Sequence, residues 1–259
     1  FRIILNSAPA KSTTSIDPSK GLKAYFPFNG NAKEASGNGN NADVKGAILK
    51  KDRHGVADKA YWFDGVNDSI NCGAAMGLAP KDRISISAWI ATTDKQAWIL
   101  SRWTDYNDRG QTYGLVLKKG IPTFHLNGPV KKMDDFTLTG NATDIADDQW
   151  HHIATTFNNT GPGEKKVYLA GMLIGSANVG TKNASNGDPL ILGRSSGSNS
   201  AGDFEGYLDE VRIYDRALSA DEVAELYQME SALPAGSVTL NKLSPVLRKF
   251  LDGNRTIRQ

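Results

Sequence analysis

The feature that most constrains this chain is its punctuation: apolar runs of strand length, each cut off by a cluster of turn-forming residues. LKAYFPF (22–28), AYWF (60–63), ISISAWIA (84–91), AWILS (97–101), YGLVLKK (113–119), IPTFHL (121–126), WHHIATTFN (150–158), KVYLAGMLIGSAN (166–178), LILG (190–193) and GYLDEVRIYD (206–215) are separated by loops such as Asn127-Gly128-Pro129 and Gly161-Pro162-Gly163. Runs this short do not make long helices, and the Gly, Pro and Asn between them supply the backbone angles that turns require. Within 84–91, Ile84, Ile86, Ala88 and Ile90 alternate with Ser85, Ser87, Trp89 and Ala91, which is the two-residue period of a strand. The expected fold is all-β, a two-sheet antiparallel sandwich or jelly roll. At 259 residues the chain can enclose one substantial core.

One helix is marked. Ser219 followed by Glu222 forms a capping box, and Val223, Leu226 and Tyr227 give the segment one apolar face to lay on the sandwich. The sandwich is assigned to 21–231, with an N-terminal arm and linker at 1–20 and a C-terminal linker and short helical or stalk segment at 232–259. FRIIL (1–5) is strand-forming, while Ser244, Pro245 and the apolar Val246, Leu247, Phe250 and Leu251 read as a short helix that Gly253 can end.

Charge follows the same division. Arg2, Lys11 and Lys20 against Asp17 make the first arm basic, and Lys242, Arg248, Lys249, Arg255 and Arg258 against Asp252 make the second more so, leaving an acidic body in a chain of net charge +2. Basic arms and an acidic body attract neighbouring copies, although solvated tails have the same composition. A net charge this small without a concentrated basic face excludes nucleic acid as the expected partner. No apolar run approaches the roughly 18 residues of a membrane span, so membrane insertion is not expected. Cys72 stands alone and cannot form an intrachain disulfide, which is compatible with bacterial secretion. A first residue Phe1 in place of Met suggests a removed leader or a trimmed chain.

Several segments carry a family resemblance: YFPFNGNAKEASGNGNNADVKGA (25–47), DRHGVADKAYWFDGVNDSI (52–70), ISISAWI (84–90), DDQWHHIATTF (147–157), VYLAGMLIG (167–175), PLILGR (189–194) and FEGYLDEVRIYDRALSADEVAELY (204–227). In this order they resemble the laminin-G-like, concanavalin A-like domains of bacterial surface and secreted proteins. The resemblance covers about residues 21–230 and implies a two-sheet jelly roll and a secreted or cell-surface location. It also implies, in many members, one structural calcium ion (Ca2+), with functions ranging over adhesion, glycan binding and attachment to larger proteins. Fold alone does not choose among these. NRTI (254–257) is similar to linker motifs that follow such domains. The chain departs from the family at Lys33, which precedes Glu34 where an acidic residue commonly follows the FNGN motif.

Three sets of residues invite chemistry. Asp209 shares the two-residue phase of Val211 and Ile213, so its carboxylate is expected to point inward or to the rim and to need a partner. That partner is either a calcium ion completed by oxygens of the Asn29-Gly30-Asn31 loop, with Asn29 and Asn31 as ligands beside Asp209, or loop N–H groups or an arginine. His151 and His152 are adjacent in a strand and point to opposite faces, so they do not share one metal, and structural roles are expected. The loop 102–111 sets Trp103 and Tyr106 among Asp105, Asn107 and Asp108. Aromatic faces stack on sugar rings while carboxylates and amides bond hydroxyls, which makes this the expected ligand site unless it is a plain polar hairpin loop. Pentraxins, distant relatives of this fold, are similar in placing calcium-ligating acidic and amide residues near this point.

Catalysis is not expected. Glycosidases on this kind of sandwich set their carboxylates along a strand as E-x-D-x-x-E, whereas Glu205, Asp209 and Glu210 have the wrong spacing, and the chain holds no G-x-S-x-G, H-E-x-x-H or P-loop run. The first functional expectation is a non-catalytic extracellular structural or adhesive subunit that binds copies of itself through its terminal arms, as a homo-oligomer or filament. The alternative is a glycan-binding module of a larger secreted or cell-surface protein.

Overall fold

The computed structural model describes residues 17–78, 82–103, 111–126, 143–179, 188–195 and 202–232. The strands run, in chain order, β1 (Leu22–Phe26), β2 (Asp43–Lys45), β3 (Ile48–Lys50), β4 (Ala60–Asp64), β5 (Ser69–Asn71), β6 (Arg83–Ala91), β7 (Gln96–Trp103), β8 (Gln111–Lys118), β9 (Ile121–Leu126), β10 (His151–Asn158), β11 (Glu164–Leu169), β12 (Met172–Asn178), β13 (Ile191–Leu192) and β14 (Glu205–Tyr214). They form an eight-stranded sheet, ordered β12-β11-β10-β6-β14-β4-β3 with β1 also on β14, and a six-stranded sheet, β2-β5-β13-β7-β8-β9. Named strand pairs are antiparallel throughout. This is the expected all-β jelly-roll sandwich. The run 166–178 is not one strand but a hairpin, turned at Ala170 and Gly171, both of which take positive φ.

The inner faces meet in one core, where Phe26, Phe63, Ile86 and Leu208 of the first sheet face Leu115 and Phe124 of the second, all fully buried. Each such side chain contributes roughly 1.5–3 kcal/mol on leaving water. The other face of β6 is buried as well. The helix α1 (Ala220–Ser231) lies over it, opened by Ser219, whose hydroxyl accepts from Glu222 N–H while the Glu222 carboxylate accepts from Ser219 N–H. Val223 and Leu226 pack with Ala154, Tyr168 and Tyr214 beneath the helix, and the Tyr227 ring stacks on Trp89 at 5.8 Å.

The phase expected for Asp209 is corrected by a bulge. Asp209 pairs with Trp89 but Arg212 pairs with Ser87, so one extra residue enters β14, and Glu210 takes a left-handed φ of 53° to accommodate it. Leu208, Val211 and Ile213 enter the core, whereas Asp209 and Arg212 turn to the helix-covered face. A strict two-residue period cannot be carried across an inserted residue.

Candidate functional site

The outer face of the six-stranded sheet carries an aromatic platform. Ala97, Leu115, Leu117 and Phe124 enter the core, so their alternates Trp98, Gly114, Val116, Thr123 and His125 point outward. Trp98 sits opposite Val116 and then Thr123, while Ser101 sits opposite Gly114 and then His125. Gly114 is the reason the indole can lie down across β8. A Cβ there would stand 2.4 Å from Trp98 Cζ3, closer than any side chain tolerates. With that space open, the half-buried indole reaches the His125 ring of β9, centroid to centroid 5.8 Å at 44°. Beside it lies a cavity of about 130 Å³ lined by Gln96, Trp98, Val116, Lys118, His125 and Gly202.

The flank of this platform is acidic and buried. Trp98 N–H donates to the Gly202 carbonyl at 2.7 Å, and Trp98 forms a parallel bridge with Asp203. Phe204 enters the core, so Asp203 turns to the face that Trp98 occupies. The Asp203 side chain is 3% exposed, and Arg194 Nη2 lies 3.5 Å from its Oδ2. Among the described residues neither carboxylate oxygen finds a hydrogen-bond donor. Burial raises its pKa, against the pull of Arg194 and with a further push from Asp64.

A second polar region lies under α1. Asp209 Oδ2 meets Arg53 Nη1 at 2.6 Å, and Asp209 Oδ1 accepts from Glu210 N–H at 2.8 Å. Arg53 also donates to the Glu230 carbonyl at 2.6 Å, the Glu230 carboxylate pairs with Arg212 Nη1, and Trp89 Nε1 donates to Glu230 Oε2 at 2.6 Å. Arg212 continues to Glu210 at 2.8 Å and lies over the Tyr25 ring at 3.9 Å. Burial pushes the Asp209 carboxyl up to about 8, with Glu210 adding to the rise and Arg53 opposing it. Burial likewise pushes Glu230 up to about 7 against Arg212. His152, packed between Trp89 and Tyr227, is held neutral, its pKa pushed down to about 3 by burial and by the cations Arg212 and Arg53. His151 faces away and meets Asp147 Oδ1 at 2.8 Å.

The sequence-predicted residues distribute unevenly over these regions. Trp103 ends β7, and its side chain lies outside the described residues, as do Asp105, Tyr106, Asn107 and Asp108. Of the arms at 1–20 and 232–259, residues 1–16 and 233–259 lie outside them too. Of the partners open to Asp209, the structure supplies an arginine and a backbone N–H. Asn29 lines the same cleft, but its carbonyl accepts from Asn31 Nδ2, and Asn31 Oδ1 accepts from Lys33 N–H. In this arrangement a guanidinium and a backbone N–H engage the two oxygens of the Asp209 carboxylate. Sequence reasoning passed over Trp98, His125 and Asp203. The available signal was Gly114, an isolated glycine inside a strand run, which marks a close approach of another group.

Residues 64–224 match the Laminin_G_3 family, the Concanavalin A-like lectin/glucanases superfamily. The chain belongs to that family. A rat relative, the sushi, von Willebrand factor type A, EGF and pentraxin domain-containing protein 1, is 35% identical over 108 residues, which are 39% of this chain and 3% of that protein. Three solved structures share the fold. The binding domain of Paraclostridial Mosquitocidal Protein 1 is similar at TM-score 0.64 and 20% identity over 81% of this chain and 52% of its own. Domain 4 of AbnA, a GH43 extracellular arabinanase of Geobacillus stearothermophilus solved with arabinotriose, gives 0.61 and 20% over 80% of this chain and 98% of its own. The botulinum neurotoxin serotype G binding domain gives 0.62 and 17% over 82% and 51%. This chain therefore spans about half of the two toxin domains and a small fraction of the rat protein. At these identities the structural likenesses establish the jelly roll.

Proposed function

We propose that this chain is a non-catalytic carbohydrate-binding module of an extracellular protein, and that a sugar ring stacks on Trp98. The observation that carries the reading is the half-buried indole laid flat over Gly114 on the outer sheet face, with His125 at its edge. Sugar rings offer C–H faces to an aromatic plane and hydroxyls to polar groups around it, and a shallow cavity with a few convergent polar side chains suits them. Glycosidic cleavage needs two carboxylates flanking the bond, and among the described residues Asp203, itself buried, is the one set beside Trp98. Support at the level of fold comes from the arabinanase domain solved with arabinotriose and from the two toxin binding domains. An extracellular place accords with the family, and no helix among the described residues is long and apolar enough to cross a membrane. The test is a printed oligosaccharide array probed with the full chain and with Trp98→Ala. Binding that the substitution removes, with an unchanged melting curve, supports the reading, and binding that survives it moves the site elsewhere.

Two sequence-based proposals stand beside it. Self-association through 1–20 and 232–259 predicts that the full chain is larger in solution than a chain cut to 21–231; equal monomer sizes overturn it. Structural calcium at Asp209 requires Arg53 to leave. It predicts a calcium-dependent rise in melting temperature that Asp209→Asn abolishes, and identical melts with calcium and with chelator overturn it.

A further inference from the structure

On the outer face of the eight-stranded sheet, one row of side chains crosses five strands beside the charged network under α1. Ile48 of β3 pairs with Trp62 of β4, Trp62 with Tyr207 of β14, and Tyr207 with Ala91 of β6. Trp150 directly precedes β10, whose His151 pairs with Ile90, so it falls opposite Ala91. Phe63, Ile90 and Leu208 enter the core, which turns their neighbours Trp62, Ala91 and Tyr207 outward. Because Ala91 is small, the Trp150 and Tyr207 rings converge over it, 5.8 Å between centroids at 51°, and leave it 3% exposed. Trp62, Tyr207 and Trp150 are half-buried, and Ile48 is 46% exposed. No described residue hydrogen-bonds the indole N–H of Trp62 or Trp150 or the Tyr207 hydroxyl. Single apolar side chains scattered over a surface need no explanation, but these stand in one line with their polar handles unused.

We propose that this row is a second carbohydrate-binding site, which takes a linear neutral oligosaccharide laid across the strands. Four steps of about 4.8 Å between strands make the row roughly 19 Å long, and two residues along a strand make it about 7 Å wide. A stable protein partner buries about 800 Å² on each side, several times what so narrow a strip offers. A linear sugar chain has the strip's own shape. Its successive rings present C–H faces to the aromatic side chains, and its ring oxygens and hydroxyls accept from the free indole N–H groups. Two residues before Tyr207 on the same strand face, the exposed Glu205 carboxylate is engaged by no described residue and accepts from sugar hydroxyls at the strip's edge. The same carboxylate repels an anionic sugar, which is why the chain is a neutral one. The row lies on the opposite sheet from Trp98 and does not rest on the reading of that platform.

The experiment titrates the isotope-labelled full chain with cellohexaose, xylohexaose and arabinohexaose, and with the matching trisaccharides, while nuclear magnetic resonance follows the indole N–H signals. Those of the row are assigned with Trp62→Phe and Trp150→Phe. At least one hexasaccharide should shift the Trp62 and Trp150 signals together, with a single affinity, and its trisaccharide should bind about tenfold more weakly because it spans only part of the row. Tyr207→Ala should weaken the hexasaccharide by about tenfold or more, whereas Trp98→Ala should leave the shifts of Trp62 and Trp150 in place. The shifts of the natural chain need no substitution in the row to fold. Absence of any response at Trp62 and Trp150 to all three hexasaccharides overturns the proposal, and a response confined to Trp98 overturns it while upholding the platform. Loss of the Trp62 and Trp150 shifts in Trp98→Ala overturns it as well, since they would then report the other face. Signals that move with protein concentration in the absence of sugar place a second copy on the row instead, and also overturn it.

Discussion

On the outer face of the eight-stranded sheet, Arg53, Arg212, Asp209, Glu210 and Glu230 close on one another beneath α1; on the outer face of the six-stranded sheet, Asp203 accepts no hydrogen bond from the described residues and Trp98 lies half-buried. Both faces bury charge beside a tryptophan. Under the helix, each carboxylate has a guanidinium at hydrogen-bonding distance, and the described residues left without bonds there are neutral, namely His152 and Ser87. A missing bond on a neutral group costs much less than one on an ion. The helix-covered face thus reads as a structural seal, whereas the outer face of the six-stranded sheet leaves the Trp98 indole half-buried beside a carboxylate that lies 3.5 Å from Arg194.

The sharpest way to break that contrast is Arg212→Ala, which strands Glu230 and Glu210 in the seal. Denaturant melts should show a loss of about 3–5 kcal/mol, the cost of breaking a buried ion pair from one side. A loss below about 1 kcal/mol would mean that the network is not the seal described.

The next effect is on pH dependence. Asp209 at about 8 and Glu230 at about 7 hold their protons more tightly in the folded chain than at the ordinary 3.8 and 4.5. A raised acid favours the folded state at low pH, and that advantage is lost as pH climbs from near 4 through the folded values. Stability in denaturant melts should therefore fall between pH 5 and pH 8, and Asp209→Asn should flatten the slope. A slope unchanged in Asp209→Asn would remove Asp209 as its source.

On the outer face of the six-stranded sheet, Gly114→Val should tilt the indole off the sheet and weaken glycan binding about tenfold, roughly 1.4 kcal/mol, without abolishing the fold. Unchanged affinity would show that the flat Trp98 is not required. The smallest effect belongs to the helix cap: Ser219→Ala should cost about 1 kcal/mol in melts and leave glycan affinity unaltered, keeping the two faces separable. Any change in affinity from so distant a cap would couple them.

Much of the scaffold was legible along the chain, because strands, turns and caps are local. Alternation in 84–91 located β6, the Ser219 and Glu222 spacing located the start of α1, and the ordered motifs of 25–227 pointed to the family that residues 64–224 match. Local rules also separated His151 from His152. What only the tertiary structure decided depends on residues distant in sequence. The bulge at Glu210 moved Asp209 off the face of Val211, and its partner Arg53 lies 156 residues away. The platform needs β7, β8 and β9 side by side before the bare Gly114 can make room for Trp98, and β13 and the 202–204 segment must dock on β7 before Asp203 and Arg194 can flank it. A one-dimensional period records which face a residue takes within its own strand. Which residue stands opposite, and whether a buried charge finds a partner there, is fixed only when the strands are brought into register.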